Sequence, residues 1–349
     1  MTYCYNESDN KLKSITIPEG YTSIGKHAFY KFHKLTSIVI PNSIKKIDKK
    51  AFSYCSKLEL INIPNSVIEI GKYAFRDCCS LEELTIPDSV TTIGDYAFSG
   101  CSSLTSVNIP NSVKEIGESV FEECEGLTEI DIPDSVTSLA ESAFGNCGEH
   151  ITYISLPNSV EEISDGIFAF HINLCSIMIP NSVTRIGCCA FEECEDLVDA
   201  EIPDSVKIID DSAFKNCISL DYLTIPDSVT TIGDYAFFNC SKLTEVTIGN
   251  SVTAIGEYAF DGCSKLTEVT IGNSVTTIGD YAFKECDIES LTIPNSVKEI
   301  GKSAFCYEEL KYLKISEELY NKHELQNYLD EECKVEFWED KIENKEKKE

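Results

Sequence analysis

Thirteen phenylalanines fall at a nearly constant interval along this chain, and that interval limits the possible folds more than any other feature. Phe29, Phe52, Phe75, Phe98, Phe121 and Phe144 are 23 residues apart, Phe168 follows after 24, Phe191, Phe214, Phe237, Phe260 and Phe283 after 23 each, and Phe305 after 22. Each unit reads approximately L-T-x-I-x-I-P-x-S-V-x-x-I-G-x-x-A-F-x-x-C-x-x, as in LTSVNIPNSVKEIGESVFEECEG from Leu104 to Gly126. A unit of this size cannot close a core alone. Stacked at about 4.8 Å, units lay Leu on Leu and Phe on Phe into one continuous interior.

Within a unit, L-x-x-I-x-I alternates as a half-buried strand does, and Pro with Asn/Asp-Ser ends it. Pro18, Pro41, Pro64, Pro87, Pro110, Pro133, Pro157, Pro180, Pro203, Pro226 and Pro294 share this phase, where a residue without an N–H belongs. The following V-x-x-I-G-x-x-A-F-x-x-C spaces apolar residues by three or four, which predicts an extended bend and then one helical or 3₁₀ turn. The expected architecture is an α/β repeat protein: a single solenoid arc of about 13 turns of 23 residues. Short parallel strands would line its concave face, with short helical or 3-10 turns on the opposite side.

Irregularities mark the boundaries. Residues 1–11 read as a minimal N-terminal start, 12–315 as the solenoid, 316–340 as a C-terminal cap with a helix then a short strand, and 341–349 as a disordered charged tail. An extra residue near Gly148 to Ile151 and a missing one near Asp287 identify two atypical turns.

The 59 acidic residues outnumber the 29 basic ones, for a formal charge of −30. Such a field repels nucleic acid, whose binding needs clustered Lys and Arg, and favours a protein partner, basic if charged. No stretch approaches the roughly 18 apolar residues of a membrane span, which argues against membrane insertion. The opening residues lack the apolar core of a signal peptide, so the sequence alone reads as cytoplasmic.

The residues that could carry chemistry are mostly periodic. Of 17 cysteines, Cys55, Cys78, Cys101, Cys124, Cys147, Cys194, Cys217, Cys240, Cys263 and Cys286 share one phase. They read as buried reduced thiols beside Phe rather than as a disulfide ladder, because stacked side chains point in parallel and the total is odd. No C-x-x-C pair is present to hold zinc. His27, His33, His150, His171 and His323 are scattered, and His171 stands where the ladder would place a thiol. No phosphate loop or H-E-x-x-H occurs. The expectation is therefore no enzymatic activity, no catalytic residue, no metal and no cofactor.

The outward strand positions, two and four residues after each repeat Leu, are the candidate binding surface. Tyr153, Met178 and Tyr222 supply exposed aromatic and thioether anchors, and Glu129, Asp131, Asp199 and Glu201 surround them with carboxylates. Strand propensity explains Thr and Tyr at such places equally well, and solubility explains the acids.

The motif I-P-x-S-V-x-x-I-G-x-x-A-F-x-x-C resembles the BspA-like, or Treponema-type, leucine-rich repeats of the bacterial surface antigen family, over about residues 12–315. The resemblance implies a non-catalytic protein-binding scaffold: a surface adhesin that binds host or neighbouring-cell proteins through its concave sheet. An intracellular interaction scaffold and a carbohydrate- or ion-binding solenoid are the alternatives.

Overall fold

A computed structural model describes residues 1–4, 11–148, 150–305 and 310–338. The chain winds as a parallel β-solenoid of about 14 turns. The expected first strand is present, running from Ser14–Thr16 through Ser37–Val39 and Glu83–Thr85 to Tyr312–Ile315 and Lys334–Phe337. Neighbours are paired 23 residues apart, as Ile15 with Ile38 and Val246 with Val269. The single bridges Asp131 to Ser155 and Ser176 to Asp199 carry the row where no full strand forms. Along each strand the pleat buries one side and exposes the other, so Ile38 is buried and Val39 exposed.

A second row of two-residue strands, unforeseen in the sequence, lies at the x-I of V-x-x-I-G. It begins at Thr2–Tyr3, which pairs with Ser23–Ile24, and ends at Glu299–Ile300. From Ser23–Ile24 onward each of these strands buries its second residue, Ile or in one case Leu139, against the interior.

Among the described residues no α- or 3₁₀-helix is formed within the repeats, where a helical or 3-10 turn is expected. In its place the chain makes separate turns, each closed by an i to i−3 bond, such as Ala28 N–H to Gly25 O and Phe32 N–H to Phe29 O. Two residues per turn, two before and two after Phe, break any helix by adopting left-handed backbone, for example Tyr73 (φ 59°) and Asp77 (φ 58°). Left-handed backbone turns their N–H groups along the solenoid axis: Tyr73 donates to Asp95 O and Asp77 to Ser99 O in the next turn. Between them Phe75 donates to Ala97 O at 2.7 Å. Among the described residues the α-helix is Glu317–Lys322 and the 3₁₀ helix Leu325–Asn327, both beyond the repeats. The fold is thus a β-solenoid, and the α/β reading is corrected.

Phe29 through Phe283 are fully buried, and their rings stack in parallel at 5.0 to 6.3 Å between centroids. Beside them the ten cysteines in phase are buried and unpaired. Each thiol donates to the carbonyl of the preceding turn's Phe, as Cys55 Sγ to Phe29 O at 3.1 Å and Cys147 Sγ to Phe121 O at 3.0 Å. Burial pushes the Cys55 and Cys194 thiols up to about 12, which keeps them protonated and able to donate.

His171 interrupts this ladder. It is fully buried, its Nδ1 lies 2.9 Å from Phe168 O, and its Nε2 has no partner among the described residues. Burial lowers it to about 4. The unfolded chain therefore binds a proton between pH 6.5 and 4 that the folded chain excludes, so this residue removes stability as the pH falls through that window. Wild type should lose about 2 kcal/mol relative to His171→Cys between pH 7 and 5. Parallel pH profiles of the two proteins in urea melts would contradict this.

The segment after Ile315 forms the expected helix and then a strand. Ser316 caps the helix by accepting from Leu319 N–H, and Trp338 Nε1 donates to Ile293 O at 2.8 Å. Residues 341–349, the expected tail, lie outside the described residues, as do Tyr5 to Asn10.

Candidate functional site

The outward positions of the first row form one face, and the repeat fixes which residues meet on it. Register sets Tyr153 beside Ser176 and Ser155 beside Met178. Ser176 is in turn bridged to Asp199, whose successor by one turn is Tyr222. Tyr153, Met178 and Tyr222 are 49%, 59% and 57% exposed, which is unusual for large apolar groups recurring on one surface.

Three shallow depressions join these residues. Asp131, Ser155 and Met178 line one of about 570 Å³, with Pro133, Pro157 and Pro180 at its border. Tyr153, Met178, Asp199 and Glu201 line a second of about 440 Å³, and Asp199, Glu201 and Tyr222 a third of about 390 Å³. Six of the seven residues singled out in the sequence are thereby brought together. Glu129 is also exposed, two residues before Asp131, but lies outside these three depressions. The charge of the Asp199 carboxylate raises the Tyr222 phenol above its usual range, so the tyrosine stays a neutral donor beside an acceptor. Val39 (57% exposed) and Leu60 (67%) extend the apolar positions of the same row into the early turns. The alternation marks both as outward.

A second convergence lies on a different face. Asp165, Cys188 and Asp210 bring three possible ligand atoms within 4.8 Å of one another. Arg185 sits among them, pairing with Asp165 at 2.9 Å, with Asp210 at 2.5 Å and with Glu162, while Cys188 N–H donates to Asp165 Oδ1 at 2.9 Å. The guanidinium supplies the counter-charge that a cation would bring and ties three turns together. Burial holds the Asp210 carboxyl above its usual range, against the pull of Arg185.

Parallel turns with a Leu- and Ile-lined interior and a phenylalanine spine define a leucine-rich-repeat solenoid, a class whose surfaces serve recognition. More narrowly, the chain belongs to the BspA-type leucine-rich-repeat family. The model of that family, a BspA type leucine rich repeat region, matches in six copies over residues 1–105, 68–198 and 185–311. No curated protein matches the sequence. Among solved structures, a leucine-rich repeat protein from Bacteroides ovatus is 29% identical, with a TM-score of 0.71, covering 97% of this chain and 87% of its own. A leucine rich cell surface protein from Faecalibacterium prausnitzii is 34% identical, with a TM-score of 0.52 over 74% of this chain and 79% of its own. The pneumococcal vaccine antigen PcpA, 21% identical with a TM-score of 0.54 over 97% of this chain and 92% of its own, shares the fold.

Proposed function

We propose that the chain is a non-catalytic scaffold that binds a basic, extended protein segment across the first-row face between Asp131 and Tyr222. The observation that carries this reading is the recurrence of Tyr153, Met178 and Tyr222 as large exposed groups on one sheet face, bordered by Asp131, Asp199 and Glu201. Aromatic and Met anchors supply contact area at low entropic cost, and the carboxylates select Lys or Arg on the partner. In this reading the face is the concave side of the arc, residues 12–315 are the scaffold and 316–340 its cap. A cell-surface, adhesive role fits the Faecalibacterium relative, a cell surface protein by name. An intracellular scaffold would use the same face.

Replacing Tyr153, Met178 and Tyr222 together by Ala is expected to abolish capture of the partner from host or self lysates while leaving the circular dichroism spectrum unchanged. Against extended Lys-rich peptides carrying an aromatic residue, the loss should be at least about 30-fold in Kd, the size of one interfacial anchor. An unchanged capture list and unchanged peptide affinity would reject the site.

A further inference from the structure

The overall charge conceals a division along the chain. Residues 1–80 carry 12 Lys and Arg against 7 Asp and Glu, a formal +5, while residues 81–349 carry 17 against 52, a formal −35. In the fold the division appears on the side formed by the turns around each Ala-Phe pair. The turns of Phe29, Phe52 and Phe75 present Lys26, Lys31, Lys49, Lys50, Lys72 and Arg76 there, all exposed or half-buried. Several lie over tyrosine rings: Lys31 is 5.1 Å from the Tyr30 centroid, and Lys50 is 5.1 Å from that of Tyr73. Among the described residues Lys26, Lys31, Lys49 and Lys50 form no ion pair, unlike Lys72 and Arg76, which reach Asp95 and Asp77.

Further along, the same side inverts its sign. Glu122, Glu123, Glu141, Asp165 and Glu192 line a depression of about 470 Å³ in the turns of Phe121 to Phe191, deepened by the small residues Ser142, Gly145 and Gly166. Phe170, half exposed, stands in it as an apolar contact. Between the two patches lie buried Ser99 and Ser119 and half-buried Tyr96, whose hydroxyl donates to Glu118.

The two patches are complementary and share one side of a continuous stack, so neither can fold onto the other within a chain. A two-fold axis between the turns of Phe98 and Phe121 would set the turn of Phe29 against that of Phe191. It would equally set Phe52 against Phe168 and Phe75 against Phe144. Lys49 and Lys50 then face Asp165, one of three carboxylates that share the single Arg185, Lys72 and Arg76 face Glu141, and Tyr54 approaches Phe170. We propose that the protein forms an antiparallel two-fold dimer, the basic turns of each copy seated in the acidic depression of the other. Closed two-fold association is the commonest symmetric form, and opposite charges in register favour one orientation. The acidic later turns then overhang at opposite ends, more than a Debye length of about 8 Å apart in physiological salt. A polyanion laid along the axis would leave the basic rungs after three turns and meet carboxylates, which is why a second copy is the better occupant.

Sedimentation velocity tests this without involving Tyr153, Met178 or Tyr222. The full chain should be a dimer at about 0.1 M salt and dissociate at about 1 M, where the Debye length falls to about 3 Å. Lys72→Glu with Arg76→Glu should be monomeric at the lower salt, as should Glu141→Lys, the residue they face. An equimolar mixture of the two variants should recover the dimer, since every reversed contact then meets a reversed partner. That recovery also shows that both variants are folded. A monomer at low salt, a dimer indifferent to both reversals, or growth past the dimer would each overturn the proposal. So would wild type that stays monomeric while retaining a sulfated polysaccharide through Lys49 and Lys50.

Discussion

Phe191→Ala is expected to cost about 3 to 5 kcal/mol in urea denaturation, the range for removing a buried phenyl ring. Phe191 has no exposed surface and lies between two parallel rings, 5.8 Å from Phe168 and 5.0 Å from Phe214. The truncation opens a gap that neither neighbour can close, because each is held by its own turn's bonds to the next: Phe214 N–H donates to Ala236 O at 2.7 Å and Phe168 N–H to Ala190 O at 3.0 Å. In a solenoid both interfaces of one turn depend on the same ring, so the loss falls on two nearest-neighbour couplings at once. A loss below about 1 kcal/mol would show that the spine is not what holds the turns together.

Gly148→Val is expected to destabilise by about 3 kcal/mol or more, from strain and overlap combined. Gly148 sits at the one 24-residue turn with φ 86°, a conformation that side chains rarely adopt, and a Cβ there would lie 1.8 Å from Glu125 O. That oxygen belongs to the backbone of the neighbouring turn, so it can move only if two turns part. Gly145 provides the control. A Cβ at Gly145 meets nothing closer than 3.4 Å, and Gly145→Ala should change the urea midpoint little. Equal effects at the two positions would refute the close-approach argument.

Much of this structure could be read from the period alone. The Phe spine, the first-row strands and their burial follow from residues recurring at one phase, because stacking makes every like residue a neighbour. The outward placement of Tyr153, Met178 and Tyr222 follows from the same register. The second row escaped notice because a two-residue strand such as Glu69–Ile70 buries one side chain and shows no alternation. The helical reading failed for a different reason: Ile70, Ala74 and Cys78 recur at the helical spacing, and what excludes a helix is left-handed backbone at Tyr73 and Asp77. Those residue types do not announce that conformation as Gly would. The basic patch at Lys49 and Lys50 was invisible to a charge summed over the whole chain.

The left-handed residues also bear on how the chain acquires its fold. Tyr73 and Asp77 adopt backbone that an L residue resists by about 1 kcal/mol or more each, and their compensating bonds go to Asp95 and Ser99 of the following turn. A lone turn therefore has its local cost and none of the return, so it cannot act as a nucleus. Order must begin with several turns at once and then advance by addition at a boundary, each arriving turn relieving the one before it. Such a chain behaves like a one-dimensional lattice with strong coupling and unfavourable single-site energy. Its folded and unfolded stretches meet at sharp fronts, and partly ordered turns in the middle of the array are suppressed.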